Sequence, residues 1–203
     1  MNEIEQGRQA TILNEAITAG DLAAVWSLLD NGVDAHAPDQ FGQTPMFVAV
    51  RDGQAEIVRL LIDRGVDVNA PVEKVHGRGA LYFAADRGHK EVVRELLDAG
   101  AKIDGLDSHG QSALWVCALS LANEALNAAD KEGWKQGQNA HPTGRAAVAE
   151  LLIESGADVN LAPQDAYTPA HFLRGTGIPR LIALLAGKEQ RRSFWSRLLR
   201  KHR

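Results

Sequence analysis

Short apolar runs at helical spacing recur along the chain in pairs, and a glycine follows each run. The clearest pair is residues 46–50, followed by Gly53, and residues 57–62, followed by Gly65. Apolar residues three and four positions apart in runs of this length indicate short amphipathic helices. A glycine just past such a run is typical of a helix end, because glycine readily adopts the left-handed conformation found there. The pattern therefore predicts a unit of helix, tight turn and second helix.

This helical unit returns at a nearly constant period. The landmarks Ala49, Gly53 and Gly65 have equivalents 33 residues earlier and 35 residues later. A third return carries about 23 additional residues before its final glycine, Gly156, and a fourth begins at Thr168. A single unit of this size cannot bury its apolar face alone, so the units must stack on one another.

The best-preserved unit resembles one ankyrin repeat. Residues 42–69 read Gly-Gln-Thr-Pro, a short apolar run, Asp-Gly, a second run containing Leu-Leu, and then Gly-Val-Asp-Val-Asn. The resemblance implies an all-α ankyrin-repeat solenoid of about five helix-turn-helix repeats joined by short hairpin loops. The expected repeat domain covers residues 1–187, with repeats at about 6–38, 39–73, 74–106, 107–162 and 163–187.

The first unit lacks the Gly-x-Thr-Pro opening, which suits a unit that has no neighbour on its outer side. Trp26 takes the place that Arg59 has in the second unit, so we expect it to be exposed. Two interpretations stay open for Trp26, a contact for a partner or a cover for the end of the core.

The fourth unit contains an insertion at about residues 120–144. Its first helix does not stop at the expected turn, since good helix formers with apolar residues three and four apart continue beyond it. The sequence predicts a helix extended to about Asp130, followed by a loop that contains Trp134. A regular repeat does not need this segment, so we expect it to be an added functional feature rather than part of the stack.

The last segment, residues 188–203, is basic and amphipathic. Phe194, Trp195, Leu198 and Leu199 form one apolar stripe at helical spacing. The segment has seven Lys or Arg residues against one Glu. It is interpreted either as a helical cap over the last repeat, which we favour, or as a contact for an anionic membrane surface.

Charge and composition limit the classes of function. The formal net charge is −4, so residues 1–187 carry −10 once the +6 of the basic segment is removed. An acidic body argues against a nucleic-acid partner. Residues 1–20 show no basic-then-apolar pattern, so we do not expect secretion by that route. The one cysteine, Cys117, stands at a position where other units have alanine. We expect a small core residue at Cys117, a cytoplasmic location and a monomer.

Nothing in the sequence indicates catalysis, a cofactor or a metal. The seven histidines form no His-x-x-His or His-Glu-x-x-His pattern, and no phosphate-binding loop is present. His76 and His109 fall on neighbouring hairpin tips, but stacked units are about 10 Å apart, which is too far for a metal site. The prediction is that the protein is not an enzyme.

The resemblance implies a function in binding. Ankyrin proteins generally bind other proteins through the concave face, which consists of the hairpin tips and the exposed positions of the first helices. Among the residues at such positions, Phe41, Arg51, Arg78 and Arg87 are expected to have no packing role. The predicted protein-binding residues are Phe41, Arg51, Asp52, Arg78, Asp86, Arg87, His109, Gln111, Trp115, Trp134 and Tyr167.

The aromatic residues Phe47, Tyr82 and Trp115 stand where the family has histidine. They either enrich the groove in residue types typical of binding hot spots or pack between the units. Besides the protein-binding module, two narrower functions are considered. One is an immunity or inhibitor protein that blocks a toxin or enzyme through an acidic groove, and the other is a membrane-peripheral adaptor held by the basic segment.

Overall fold

A computed structural model of the chain describes residues 3–71, 76–129 and 144–188. Within these ranges the regular elements are all α-helices. They are α1 (Glu3–Thr18), α2 (Leu22–Asp30), α3 (Pro45–Arg51), α4 (Ala55–Asp63), α5 (Ala80–Arg87), α6 (Lys90–Asp98), α7 (Ala113–Ala129), α8 (Gly144–Glu154), α9 (Pro169–Gly175) and α10 (residues 179–188). Consecutive helices form the five predicted pairs.

The pairs stack side by side in chain order. Each first helix contacts the next first helix, from α1 through α3, α5 and α7 to α9. The second helices α2, α4, α6 and α8 form a parallel row in the same order. The predicted all-α solenoid is therefore confirmed, and its core lies between the two rows of helices.

The first helices begin at the predicted capping residues. The Oγ1 atom of Thr44 accepts a hydrogen bond from the backbone N–H of Phe47 at 3.3 Å, and Thr168 caps α9 through His171 in the same way. Ser112 takes this role in the fourth pair. Gly79 stands at the same position in the third pair and offers no side-chain cap, as expected from the loss of Thr-Pro there.

The glycines between paired helices adopt the left-handed conformation that the pattern requires. Gly53 has φ +74° and Gly88 has φ +75°. Gly88 is also a point of close approach, because a Cβ atom added there would lie 2.6 Å from the backbone nitrogen of Arg145. Helix α8 begins at Gly144, and its first turn packs directly on the turn at Gly88.

The core has equivalent leucines in successive units. Leu61, Leu96 and Leu152 have no exposed surface, and Cys117 is fully buried as expected of a small core residue. Its Sγ atom lies 3.2 Å from the carbonyl oxygen of Arg145, and burial raises the pKa of the thiol to about 12. Within the described ranges no helix has both the length and the apolar character that a membrane span requires.

The predicted extension of the fourth unit's first helix is confirmed, since α7 continues to Ala129. The first turns of this extension pack as part of the stack of repeats. Leu121 is 3% exposed, and Ser120 donates a hydrogen bond to Asp86 at 2.9 Å. The expectation that the whole segment from residue 120 lies outside the stack was therefore wrong.

Two of the predicted features lie outside the described residues. These are the loop that contains Trp134, within residues 130–143, and the basic segment from residue 189 onward. Their expected roles remain predictions.

Candidate functional site

The hairpin tips are built on buried aspartates. The Oδ1 atom of Asp39 accepts hydrogen bonds from the backbone N–H groups of Phe41 and Gln43, at 2.9 and 2.8 Å. Asp107 makes the same two bonds to His109 and Gln111, at 2.8 and 2.9 Å. Because the aspartates close these turns internally, the side chains beyond them are presented from a fixed backbone.

Adjacent tips are also tied to each other. The backbone N–H of Ser108 donates to the carbonyl oxygen of His76 at 3.0 Å, and the Nε atom of Arg78 lies 3.1 Å from Oδ2 of Asp107. Arg78 in turn lies over the ring of Tyr82, at 4.6 Å from its centroid. Arg78 therefore has a structural role, so the expectation that it lacked a packing role was wrong.

The contact between tips also corrects the expected distance between two histidines. The rings of His76 and His109 meet edge to face with their centroids 4.7 Å apart, and not at the spacing of stacked helices. The units converge at their tips because the backbone bond between Ser108 and His76 draws them together. Within residues 3–71, 76–129 and 144–188, no group of three or more His, Cys, Asp or Glu side chains could hold a metal ion.

A second group of predicted residues lies at the ends of the first helices. Arg51 and Asp52 form a two-pronged ion pair, with Nε to Oδ1 at 2.7 Å and Nη2 to Oδ2 at 2.8 Å. Arg51 also donates to the side-chain oxygen of Gln43 at 3.2 Å. Arg51 therefore joins the helix end to the preceding tip, and the expectation that it lacked a packing role was wrong as well.

The charges in this group lower the pKa of Asp52. The hydrogen bonds from Arg51 are the largest cause, and the positive charge of Arg87 acts in the same direction. Arg87 lies exposed on the following unit. Two positive and two negative side chains lie at these helix ends, namely Arg51, Arg87, Asp52 and Asp86, so no acidic groove is found at these positions.

Three other predicted residues are used within the stack. Trp115 is 8% exposed, and its ring nitrogen donates to the carbonyl oxygen of Tyr167 at 2.9 Å. The hydroxyl of Tyr82 donates to the side chain of Gln111 at 3.1 Å, and Asp86 accepts from Ser120. For Tyr82 and Trp115 the structure shows packing between units, which was one of the two interpretations offered for these aromatics.

Four of the predicted residues are well exposed. Phe41 is 68% exposed and Tyr167 is 65% exposed, while the side chain of His109 is 52% exposed, and Arg87 completes the set. The ring of Tyr167 stacks on His171 with a centroid distance of 4.2 Å. We call Phe41, Arg87, His109 and Tyr167 the exposed set.

His76 and His171 also lie on this surface, although they were not among the predicted protein-binding residues. His171 supports the ring of Tyr167, and His76 extends the row of tips next to His109. The period of the repeat contained the signal for His76, since it stands in the third unit where Phe41 and His109 stand in the second and fourth.

The fold and this surface define a class, a helical repeat solenoid that presents side chains from fixed tips. Comparison with known proteins gives the family. Residues 13–107 match the family model for ankyrin repeats (3 copies). Over these residues the chain belongs to the ankyrin repeat family.

Relatives with this similarity are much longer than the matched region. The protein "Ankyrin repeat, SAM and basic leucine zipper domain-containing protein 1" of Homo sapiens is 43% identical over 60 residues, which are 30% of this chain and 12% of that protein. The protein of the same name from Loxodonta africana is 40% identical over 63 residues, 31% of this chain and 13% of that protein. The chain thus spans about an eighth of these relatives.

Proteins of this family share a general function. Ankyrin repeats are generally protein–protein interaction modules, and the family is generally non-catalytic. The stack itself and its repeated tips are the features that the family shares.

Proposed function

We propose that the protein is a non-catalytic binding module that recognises a protein partner through its concave face. The observation that supports this most directly is the row of fixed tips and first-helix ends that carries the exposed set. Side chains held on a rigid backbone can bind without the entropic cost of ordering that backbone, which favours affinity.

The members of the exposed set have chemistry suited to a protein partner. Phe41 and Tyr167 offer aromatic surface on two different tips, and aromatic residues and arginine are frequent in binding hot spots. Arg87 and His109 add polar groups between them. By contrast, Arg51 and Arg78 are committed to ion pairs within the stack, so we assign them a supporting role.

The experiment is affinity capture from the native host with the full chain and two variants. The first variant replaces the exposed set by alanine (F41A/R87A/H109A/Y167A). The second is R94A, a matched change of an exposed residue on a second helix, away from the tips. Both variants should retain the helical content of the unchanged chain, because all of the replaced side chains lie at the surface.

The retained protein should be identified by mass spectrometry and its affinity then measured for each variant. We expect at least a tenfold loss for the tip variant and no more than a twofold change for R94A. Equal affinity for the unchanged chain and the tip variant would place the binding surface elsewhere.

The same measurement tests the two narrower functions. Loss of the retained protein's own activity on binding would make this chain an inhibitor. The balanced charges at the first-helix ends give this face no preference for a basic target, so a partner of mixed charge is expected. Binding to anionic vesicles without any protein partner would instead favour the membrane adaptor.

A further inference from the structure

A second surface lies on the other side of the molecule, on the row of second helices. Trp26 on α2 is 53% exposed, and Leu22, one turn before it, is 37% exposed. With Leu60 of α4 these residues line a groove between the two helices, which we call the Trp26 groove. A half-exposed tryptophan beside two leucines is more apolar surface than a single scattered residue provides.

The rim of the Trp26 groove is acidic. Glu56 and Asp63 of α4 are exposed and line the groove together with Arg59. Arg59 is bound by Glu95 of α6 through two hydrogen bonds, one of them at 3.0 Å, so a carboxylate already compensates its charge. The four groups together carry a net negative charge, and a matching occupant would combine an apolar stripe with basic flanks.

The chain itself contains a segment with this chemistry. Residues 189–203 include Phe194, Trp195, Leu198 and Leu199 at the spacing of one helical stripe. Six Lys or Arg residues accompany them, against one Glu. An amphipathic segment that lays its apolar stripe into a groove between helices is a recurring mode of recognition.

The groove and the segment lie at opposite ends of the same chain. Trp26 is in the first pair of helices, and α10, which leads into the segment, is in the fifth. Four steps of stacked helices at about 8–10 Å each separate them by roughly 32–40 Å. Fifteen residues in helical form span only about 22 Å. A helical segment therefore cannot reach the groove of its own chain.

We propose that the Trp26 groove binds residues 189–203 of a second copy of this chain. The contact joins the groove of one copy to the segment of the next, so it is a head-to-tail interface. The acidic body and the basic segment then attract each other between molecules. This inference replaces the monomer expected from the sequence, and it assigns the basic segment to a neighbour and not to the cap of its own stack.

A complementation experiment tests the proposal on the full chain. One variant, W26A, removes the groove, and the other, F194S/W195S, removes the apolar stripe of the segment. Sedimentation equilibrium should show the mass of the unchanged chain rising with concentration above 21.9 kDa. Each variant alone should stay monomeric over the same concentration range, because the dissociation constant of its self-association should rise at least tenfold.

The mixture of the two variants gives the decisive result. F194S/W195S retains the groove and W26A retains the segment, so we expect them to form a complex that stops at two chains. A matched control, I182A, changes an exposed apolar residue on α10 and should associate like the unchanged chain. Circular dichroism of each variant confirms that it is folded.

Several outcomes would overturn the proposal. The proposal is wrong if the unchanged chain stays monomeric at about 100 μM, whether or not it binds anionic vesicles. It is also wrong if W26A and F194S/W195S do not associate when they are mixed. A fall in melting temperature of F194S/W195S without any association would show that the segment caps its own stack. Raising the salt concentration should weaken the association, because charge attraction contributes to it.

Discussion

At the residue scale, glycines with the same conformation differ in what surrounds them. Gly65 has φ +85° and nothing within 4 Å of an added Cβ, whereas a Cβ on Gly88 would lie 2.6 Å from the backbone nitrogen of Arg145. The first glycine is needed for its conformation alone. The second is needed also because α8 approaches it closely.

This difference leads to a prediction for a matched pair of variants. G65A should lower the free energy of unfolding by about 1–2 kcal/mol, the cost of a left-handed alanine. G88A should cost more, because backbone atoms of α8 must also move. Chemical denaturation measures both values, and equal costs would contradict the close packing of Gly88 on Gly144 and Arg145.

The buried aspartate Asp107 determines a second residue-scale property, the response to acid. Burial by itself would raise the pKa of Asp107. Hydrogen bonds from the backbone N–H groups of Gln111 and His109, together with Arg78, overcome burial and lower the pKa below its ordinary value of 3.8. Since the pKa is lower in the folded state, the stabilisation is present above about pH 4 and is lost as the pH falls through the folded-state pKa.

The variant D107N tests this contribution. At pH 7 it should be less stable than the unchanged chain by about 1.5–3 kcal/mol, the range for hydrogen bonds to a charged group. The difference should shrink as the pH falls below about 4, because the aspartate then takes up a proton in the unfolded chain while it is still ionised in the folded chain. A difference in unfolding free energy that stays constant from pH 7 to pH 3 would show that the charge of Asp107 has no such role.

At the element scale, the end of α5 joins the extension of α7 to α8. Arg145 of α8 forms an ion pair with Glu124 of α7 and donates to the carbonyl oxygen of Asp86 in α5. Ser120 adds a bond from α7 to the carboxylate of Asp86. These contacts hold the first turns of the extension against the preceding unit.

Removing Arg145 should release this junction. R145A is expected to cost about 1–2 kcal/mol, in the lower part of the range for charge-assisted bonds because both partners are partly exposed. Hydrogen exchange should increase in residues 120–129 and remain unchanged in α2 and α4. The control R94A breaks an exposed pair on α6 and should change stability by less than about 0.5 kcal/mol.

The elements themselves could largely be predicted from the sequence, since local signals determine them. The recurring glycines gave the turns, and the continued apolar spacing after Leu119 gave the long helix. The links between units could not be predicted in this way. The bonds of Arg78 to Asp107 and of Ser120 to Asp86 depend on how neighbouring units meet in space, which spacing along the chain does not determine.

At the scale of the whole molecule, the stack separates two surfaces. The face formed by the tips and first-helix ends has internally compensated charges and the exposed set, whereas the row of second helices has the acidic Trp26 groove. The first surface is proposed for a different protein and the second for another copy of this chain. Both assignments depend on the rigidity of the stack, because each surface combines residues from several units.

The central claim is that the concave face binds the partner, and a hydrogen-exchange footprint tests it most directly. The full chain would be compared alone and in complex with the captured partner. The account predicts that binding slows exchange in the tips, at residues 39–43, 76–79, 107–111 and 164–168, and leaves α4 and α6 unchanged. Protection confined to the second helices, with exchange at the tips unaffected, would contradict it.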